Sequence, residues 1–527
     1  MQYSNKYWFV IILILIFSSL HAQPETFKSD ADIVQYISNS WDELQRSVTT
    51  CKGVTDPKTK TLSILYFPFG YTVPAEVQQA QKNCDFKIAF LPNEIVKSGD
   101  VQLDKILEPG LLYLPNPYIV PGSMFNEMYG WDSYFIIRGL LAQKHFKLAK
   151  GMIENFFFEL DHYGVILNAN RTYYLTRSQP PFLTSMIREY YVQSKSEDLD
   201  WLQSAYLHAL KDYKLWVSVP HLNEDTKLSR YRDLSEHPEL FLDVTEADYY
   251  TQVKNFFKSY SLGKQFLNDE GQLNNAYYEG DRAMRESGFD TTLRFGRFSA
   301  ETNQFAPVEL NCLLFKAEND LAWMSQQLGK GPQSIEWAAK AALRKKLINQ
   351  HFWNEKAGLY FDYYFPKKGQ STYVFATTFF PLWVGAASTQ QAQAVKKNLK
   401  LFERPGGLMT SPYVTGAQWD APFVWAPLQL IAIEGLNKYG FKQDAIRIAT
   451  EYTNMVLCNF RREHTIHEKY NGLTRSSDVS INIGYSANVV GFGWTNGVYL
   501  VLKDAFDLHP IPNDTNSKNP PTKKLAT

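Results

Sequence analysis

Carboxylates, amides and guanidinium groups stand beside aromatic rings in five short stretches of this 527-residue chain. They are PGSMFNEMYGWDSY at 121–134, NANRTYYLTRSQPP at 168–181, ESGFDTTLRF at 286–295, QWDAPFVWAP at 418–427 and HEKY at 467–470. The last is followed by GFGWTNGV at 491–498. Sugars call for this mixture, because planar polar groups meet their hydroxyls while flat rings meet their C–H faces. Cleaving a glycosidic bond needs in addition two carboxyl groups, one to protonate the leaving oxygen and one to manage attack at the anomeric carbon. Asp290 and Glu468 are acidic residues within such stretches. Read locally, however, Asp290 is a helix or loop cap and Glu468 forms a surface ion pair with Lys469. Each stretch alone is a weak signal.

The elements that must position these loops read as helices. Beyond about residue 130 the apolar spacing predicts helices near 132–143, 145–160, 181–194, 198–217, 240–261 and 308–329. Others follow near 333–352, 373–382, 388–401, 421–438, 441–459 and 491–506. Within 198–217, Leu199, Leu202, Tyr206, Leu210, Tyr213 and Leu215 roughly follow the helical period of a buried stripe. Leu428, Leu430, Ile431, Ile433 and Leu436 mark a helix that is buried over most of its surface. A dozen helices in consecutive pairs predict an all-α fold, the (α/α)6 barrel, a double ring of helices. A helical solenoid gives a similar pattern.

Composition sets the class. The chain is 45% hydrophobic, 20% charged and formally neutral, so a large core is available and no basic stripe points to nucleic acid. Most of the 12 Trp, 32 Tyr and 35 Phe are accounted for as core. At the N-terminus Lys6 precedes an apolar run over 7–17 and a small Ala22, the pattern of a secretory signal peptide over 1–22. That run is short for a bilayer span, so the expected location is periplasmic or secreted, with no membrane contact after cleavage. Residues 23–110 read as an irregular extension, 111–507 as the barrel and 508–527 as a disordered tail. None of Cys51, Cys84, Cys312 and Cys458 has zinc-ligand spacing. A Cys51–Cys84 disulfide is open, but buried free thiols are the preferred reading for all four. No metal and no cofactor is expected, and oligomeric state is not readable.

Together the stretches resemble the trehalases of glycoside hydrolase family 37. The signature Q-W-D-x-P-x-x-W-x-P is met by Gln418, Trp419, Asp420, Pro422, Trp425 and Pro427. The signature P-G-G-R-F-x-E-x-Y-x-W-D-x-Y is met at Pro121, Gly122, Phe125, Glu127, Tyr129, Trp131, Asp132 and Tyr134, with Ser123 and Met124 departing from it. The R-S-Q-P-P and G-F-G-W-T-N-G-V segments are intact. The resemblance implies an inverting enzyme with Asp290 as general acid and Glu468 as the base that activates water, roughly 6.5–9.5 Å apart. To hold a proton near neutral pH, Asp290 needs its pKa raised, by burial among Phe289, Phe295 and nearby loops. It further implies that a small carbohydrate is bound by Trp131, Asp132, Asn168, Arg177, Ser178, Gln179, Glu239 and Gly288.

Three departures bear on the substrate. Met124 replaces an arginine of the first signature, deleting a cation from beside the sugar and the base. His237 replaces a second arginine, and Tyr485 replaces a glutamate. Each lost polar partner leaves a sugar hydroxyl poorly matched at a cost of about 1–3 kcal/mol. Three readings follow: an inverting α,α-trehalase releasing two glucose molecules, an (α/α)6 glycosidase for another α-glucoside, or a sugar-binding protein that has lost catalysis. Retention of Asp290 and Glu468 counts against the third.

Overall fold

The computed structural model describes residues 30–57, 61–235, 244–484 and 487–508. The leader-like segment 1–22, His237, Glu239, Tyr485 and the tail beyond Leu508 lie outside the described residues. Before the barrel come α1 (Asp30–Leu44), the single turn α2 (Cys51–Val54) and α3 (Ala75–Asn83). Then follow α4 (Asp132–Ala142), α5 (Phe146–His162), α6 (Leu183–Gln193), α7 (Leu199–Trp216), α8 (Val244–Ser259) and α9 (Asn275–Ser287). The second half holds α10 (Val308–Gln327), α11 (Gly331–His351), α12 (Phe380–Val384), α13 (Thr389–Lys397), α14 (Ala426–Lys438), α15 (Lys442–Glu463) and α16 (Gly493–Phe506).

Helices α4, α6, α10, α12, α14 and α16 pack in that order, and α16 returns to α4, closing an inner ring. Helices α5, α7, α11 and α15 back it, and α1 lies against α15 and α16. The fold is the (α/α)6 barrel, not a solenoid. Inner and outer helices differ as their positions require. In α14 the residues Leu428, Leu430, Ile431, Ile433 and Leu436 are all buried, as a helix enclosed on every side must be. The outer α7 buries Leu202, Tyr206, Ala209, Tyr213 and Trp216 but exposes Leu199 and Leu207, so its true stripe is rotated from the one the sequence suggests. Ring closure depends on two glycines. A Cβ on Gly139 of α4 would stand 2.5 Å from the Gly497 Cα, and one on Gly497 would stand 2.2 Å from the Phe135 carbonyl oxygen. The N-G pair of the G-F-G-W-T-N-G-V segment is therefore a packing requirement between α4 and α16.

Because each inner helix is followed by an outer one running back, the inner helices enter the ring from the same end. The described loops before α4, α6, α10, α14 and α16 are the stretches 121–131, 168–182, 288–307, 418–425 and, ahead of α16, 467–484 and 487–492. The topology gathers every chemistry-bearing stretch at one mouth.

The segment 23–110 supplies more than irregular chain. Strands Ser63–Phe67, Phe86–Phe90 and Leu111–Leu112 form a parallel sheet with the first in the centre, and α3 makes the crossover between the first two. Cys51 and Cys84 are joined in a disulfide, which corrects the preference for free thiols there. Cys312 is buried, whereas Cys458 is exposed rather than buried. Near 373–382 the expected helix is a 3-10 turn over 376–379 leading into α12. Helix α9 has no counterpart in the sequence reading. Its face is buried through Asp281, Arg282, Arg285 and Glu286 as well as Tyr277, Ala283 and Met284, so charge pairing hides the apolar period.

Candidate active site

Asp290 is carried by the turn that ends α9. Gly288 closes the helix in the left-handed region at φ 75°, and a Cβ there would stand 2.9 Å from the Trp131 indole. Glycine is the residue that fits both demands. Phe289 then turns inward against Trp131, Trp419 and Phe375 at 5.5, 4.9 and 5.6 Å between ring centroids. Asp290 follows and is itself partly exposed, with the buried Phe289 and Phe295 to either side of it in sequence. Downstream, Arg294 is buried between two carboxylates. Its Nη2 donates to Glu309 Oε2 at 2.6 Å and to Asp362 Oδ1 at 2.5 Å, and its Nε to Asp362 Oδ2 at 2.7 Å. The guanidinium also lies over the rings of Phe295 and Phe375, each 4.5 Å from the centroid.

The second signature clamps this turn. Gln418 Nε2 donates to the Asp290 carbonyl. The Trp419 backbone N–H donates to the Thr291 carbonyl at 3.2 Å. Asp420 is buried, accepts from the Leu293 N–H, and is held by the hydroxyls of Tyr373, Ser411 and Thr415 at 2.9, 2.8 and 2.8 Å. Burial pushes the Asp420 carboxyl above the usual carboxylate range, with the three hydroxyls acting against that shift.

Glu468 is held next to the other end of the same signature. Glu468 precedes the strand Lys469–Asn471, which pairs antiparallel with Phe423–Trp425 in the register Trp425 to Lys469. Its backbone N–H donates to the Val489 carbonyl at 2.9 Å, and its carbonyl accepts from Trp494 Nε1 at 3.1 Å. The ion pair with Lys469 exists, at 2.6 Å, but it is not a surface pair, because the lysine side chain is fully buried. Glu468 therefore has a cation beside it although residue 124 is methionine.

Asp132, the first residue of α4, ties the two halves together electrostatically. Its carboxyl is pushed well above the usual range, first by burial, then by the negative charges of Glu468 and Asp290. The Asp132 carboxyl thus lies within electrostatic reach of both Glu468 and Asp290. Trp131 is nearly buried, edge-on to Phe135, Phe289 and Trp494 and tilted against Trp419.

The remaining residues implied by resemblance hold loops to one another. Asn168 Nδ2 donates to the carbonyls of Ser178 and Arg285, both at 3.2 Å. Arg177 Nε donates to Asp233 at 2.8 Å, with its guanidinium over Tyr174. Ser178 Oγ donates to the Ile166 carbonyl, and Gln179 Oε1 accepts the Trp131 N–H at 2.8 Å. Glu239 lies outside the described residues. Met124 is 49% exposed, while the loop around it is clasped from the N-terminal segment. Arg46 donates to the Ser123 carbonyl at 3.0 Å and to Asn126 Oδ1 at 2.8 Å. Glu127 accepts from Arg171 at 2.6 Å, and Arg171 also pairs with Asp56. The sequence reading quoted Gln418, Asp420 and Lys469 within motifs without giving them site roles. For Gln418 and Asp420, polarity next to Trp419 was the available signal.

A closed double ring of helices with carboxyl groups gathered at one mouth defines the class, a glycoside hydrolase of the helix-barrel type. The sequence model of the Trehalase family matches residues 78–507, and the chain belongs to the trehalase family. A cytosolic neutral trehalase of Neurospora crassa is 34% identical over 540 residues, covering 87% of this chain and 71% of that protein. A probable trehalase of Saccharomyces cerevisiae is 34% identical over 536 residues, covering 88% and 67%. The solved structure of neutral trehalase Nth1 from Saccharomyces cerevisiae matches with a TM-score of 0.75 and 30% identity, covering 90% of this chain and 94% of that one.

The expected periplasmic or secreted location is corrected by these relatives. Those from Neurospora crassa, Pyricularia oryzae and Saccharomyces cerevisiae are named cytosolic neutral trehalases, which points to the cytosol. A short apolar run behind one lysine is a hydropathy pattern with no further support, and it lies outside the described residues.

Proposed function

We propose that this chain is an inverting α,α-trehalase in which Asp290 protonates the glycosidic oxygen and Glu468 activates the attacking water. The observation that carries the reading is the placing of Asp290, Glu468 and Asp132 on loops at one mouth, with the Asp132 carboxyl pushed well above the usual range first by burial and then by the charges of Glu468 and Asp290. Trp131, Gly288, Asn168 and the Arg177–Gln179 segment shape the floor on which a glucosyl ring rests, and Glu239 completes the sugar contacts implied by the family. Inversion assigns water to Glu468 and the leaving oxygen to Asp290.

Glucose release by the purified chain across a panel of α-glucosides tests the substrate. Trehalose is expected to give the highest kcat/KM. Faster cleavage of another α-glucoside would assign the departures at 124, 237 and 485 to a changed specificity, and sugar binding without glucose release would mark lost catalysis.

A further inference from the structure

We propose that Lys469 is a positioning residue for Glu468, and that the turn over 418–425 is a single rigid frame carrying both the acid and the base. The proposal rests on the assignment of Glu468 as the base. An ammonium taken wholly out of water is costly unless its donors are met. The Lys469 Nζ donates to Glu468 Oε2 at 2.6 Å and to the Ala487 carbonyl at 3.1 Å, and it stands 5.0 Å over the face of Trp425. The strand register places that ring beside the lysine.

Trp425 is itself fixed. It stacks on Trp419 with centroids 3.9 Å apart and planes 8° apart, and its Nε1 donates to the Gln418 carbonyl at 2.9 Å. The side chain of the same Gln418 bonds the Asp290 carbonyl. One short turn therefore holds the backbone of the acid at one end and, through Trp425 and Lys469, the carboxylate of the base at the other. With Oε2 engaged by the lysine, Oε1 has no hydrogen-bond partner among the described residues and is the oxygen available to water. The Lys469 ammonium is the cation paired with Glu468, while His467 is turned to Glu463 at 2.6 Å.

Lys469→Met keeps the length of the side chain and removes its charge. The kcat on trehalose is expected to fall about 10²-fold, the scale of a misplacement by about 1 Å, with KM little changed. A fall in kcat with KM held is a split that a merely structural role would not produce. Ethylammonium added to Lys469→Ala should restore part of the lost kcat. Glu468→Gln separates the two claims. If it keeps turnover, the base assignment fails. If it is inactive while folded Lys469→Met keeps wild-type kcat, the positioning role is overturned. Where Lys469→Met does not fold, Trp425→Phe decides. It retains the lysine charge but loses the bond to Gln418, so kcat is expected to fall with KM little changed, and a wild-type kcat overturns the proposal.

Discussion

Glu468→Gln and Asp290→Asn each lower kcat on trehalose by about 10²–10⁴-fold or more, the range for losing general acid–base catalysis. Both substitutions keep size and hydrogen bonding, so the loss reports proton chemistry and not packing. In Glu468→Gln the amide oxygen still accepts from the buried Lys469, and the strand pairing with Phe423–Trp425 is untouched. In Asp290→Asn the clamp from Gln418 and Trp419 persists, because it grips the carbonyls of Asp290 and Thr291 rather than the acid side chain. Thermal unfolding of both variants should therefore resemble that of the parent. Turnover near that of the parent in either variant would remove that residue from its role.

The second large effect is on stability. Arg294→Gln leaves Glu309 and Asp362 buried and without the guanidinium that pairs them, and it deletes a cation from over Phe295 and Phe375. Breaking a buried ion pair by removing one partner costs about 3–5 kcal/mol. The sign of the pH dependence follows. Burial already pushes Glu309 upward, with Arg294 pulling against it. Without the arginine Glu309 takes up a proton more readily in the folded state than in the unfolded one. Its folded pKa then lies above the unfolded one, and stability falls as pH rises through that interval. Urea unfolding should show the largest deficit near pH 7 and a smaller one toward pH 5. A deficit below about 1 kcal/mol, or one independent of pH, would mean that Arg294 does not anchor the turn carrying Asp290.

The ring of helices was readable from apolar spacing because its inner members, α14 above all, are hydrophobic on most sides. Helix α9 was not, because its buried face is built from Asp281, Arg282, Arg285 and Glu286, which count as surface in any hydropathy pattern. The small parallel sheet before the barrel escaped for another reason: its strands are short, and its turn chemistry does not distinguish it from loop. Asp290 and Glu468 were legible through motif order alone, since locally one reads as a cap and the other as half of an ion pair. The ion pair is real, and its burial is what local sequence cannot show. Residue type suggests contact with sugar for Arg177 and Gln179, and local sequence does not show that Arg177 also pairs with Asp233 or that Gln179 accepts the Trp131 N–H at the entry to α4.

The central claim is hydrolysis of trehalose with inversion by Asp290 and Glu468, and it is tested most directly by proton NMR of the first product formed. Inversion at one anomeric carbon of α,α-trehalose releases that ring as β-glucose, while the departing ring keeps its α configuration. Spectra taken before mutarotation should show the two anomers in equal amounts. α-Glucose alone at the earliest times would mean retention and contradict the role given to Glu468.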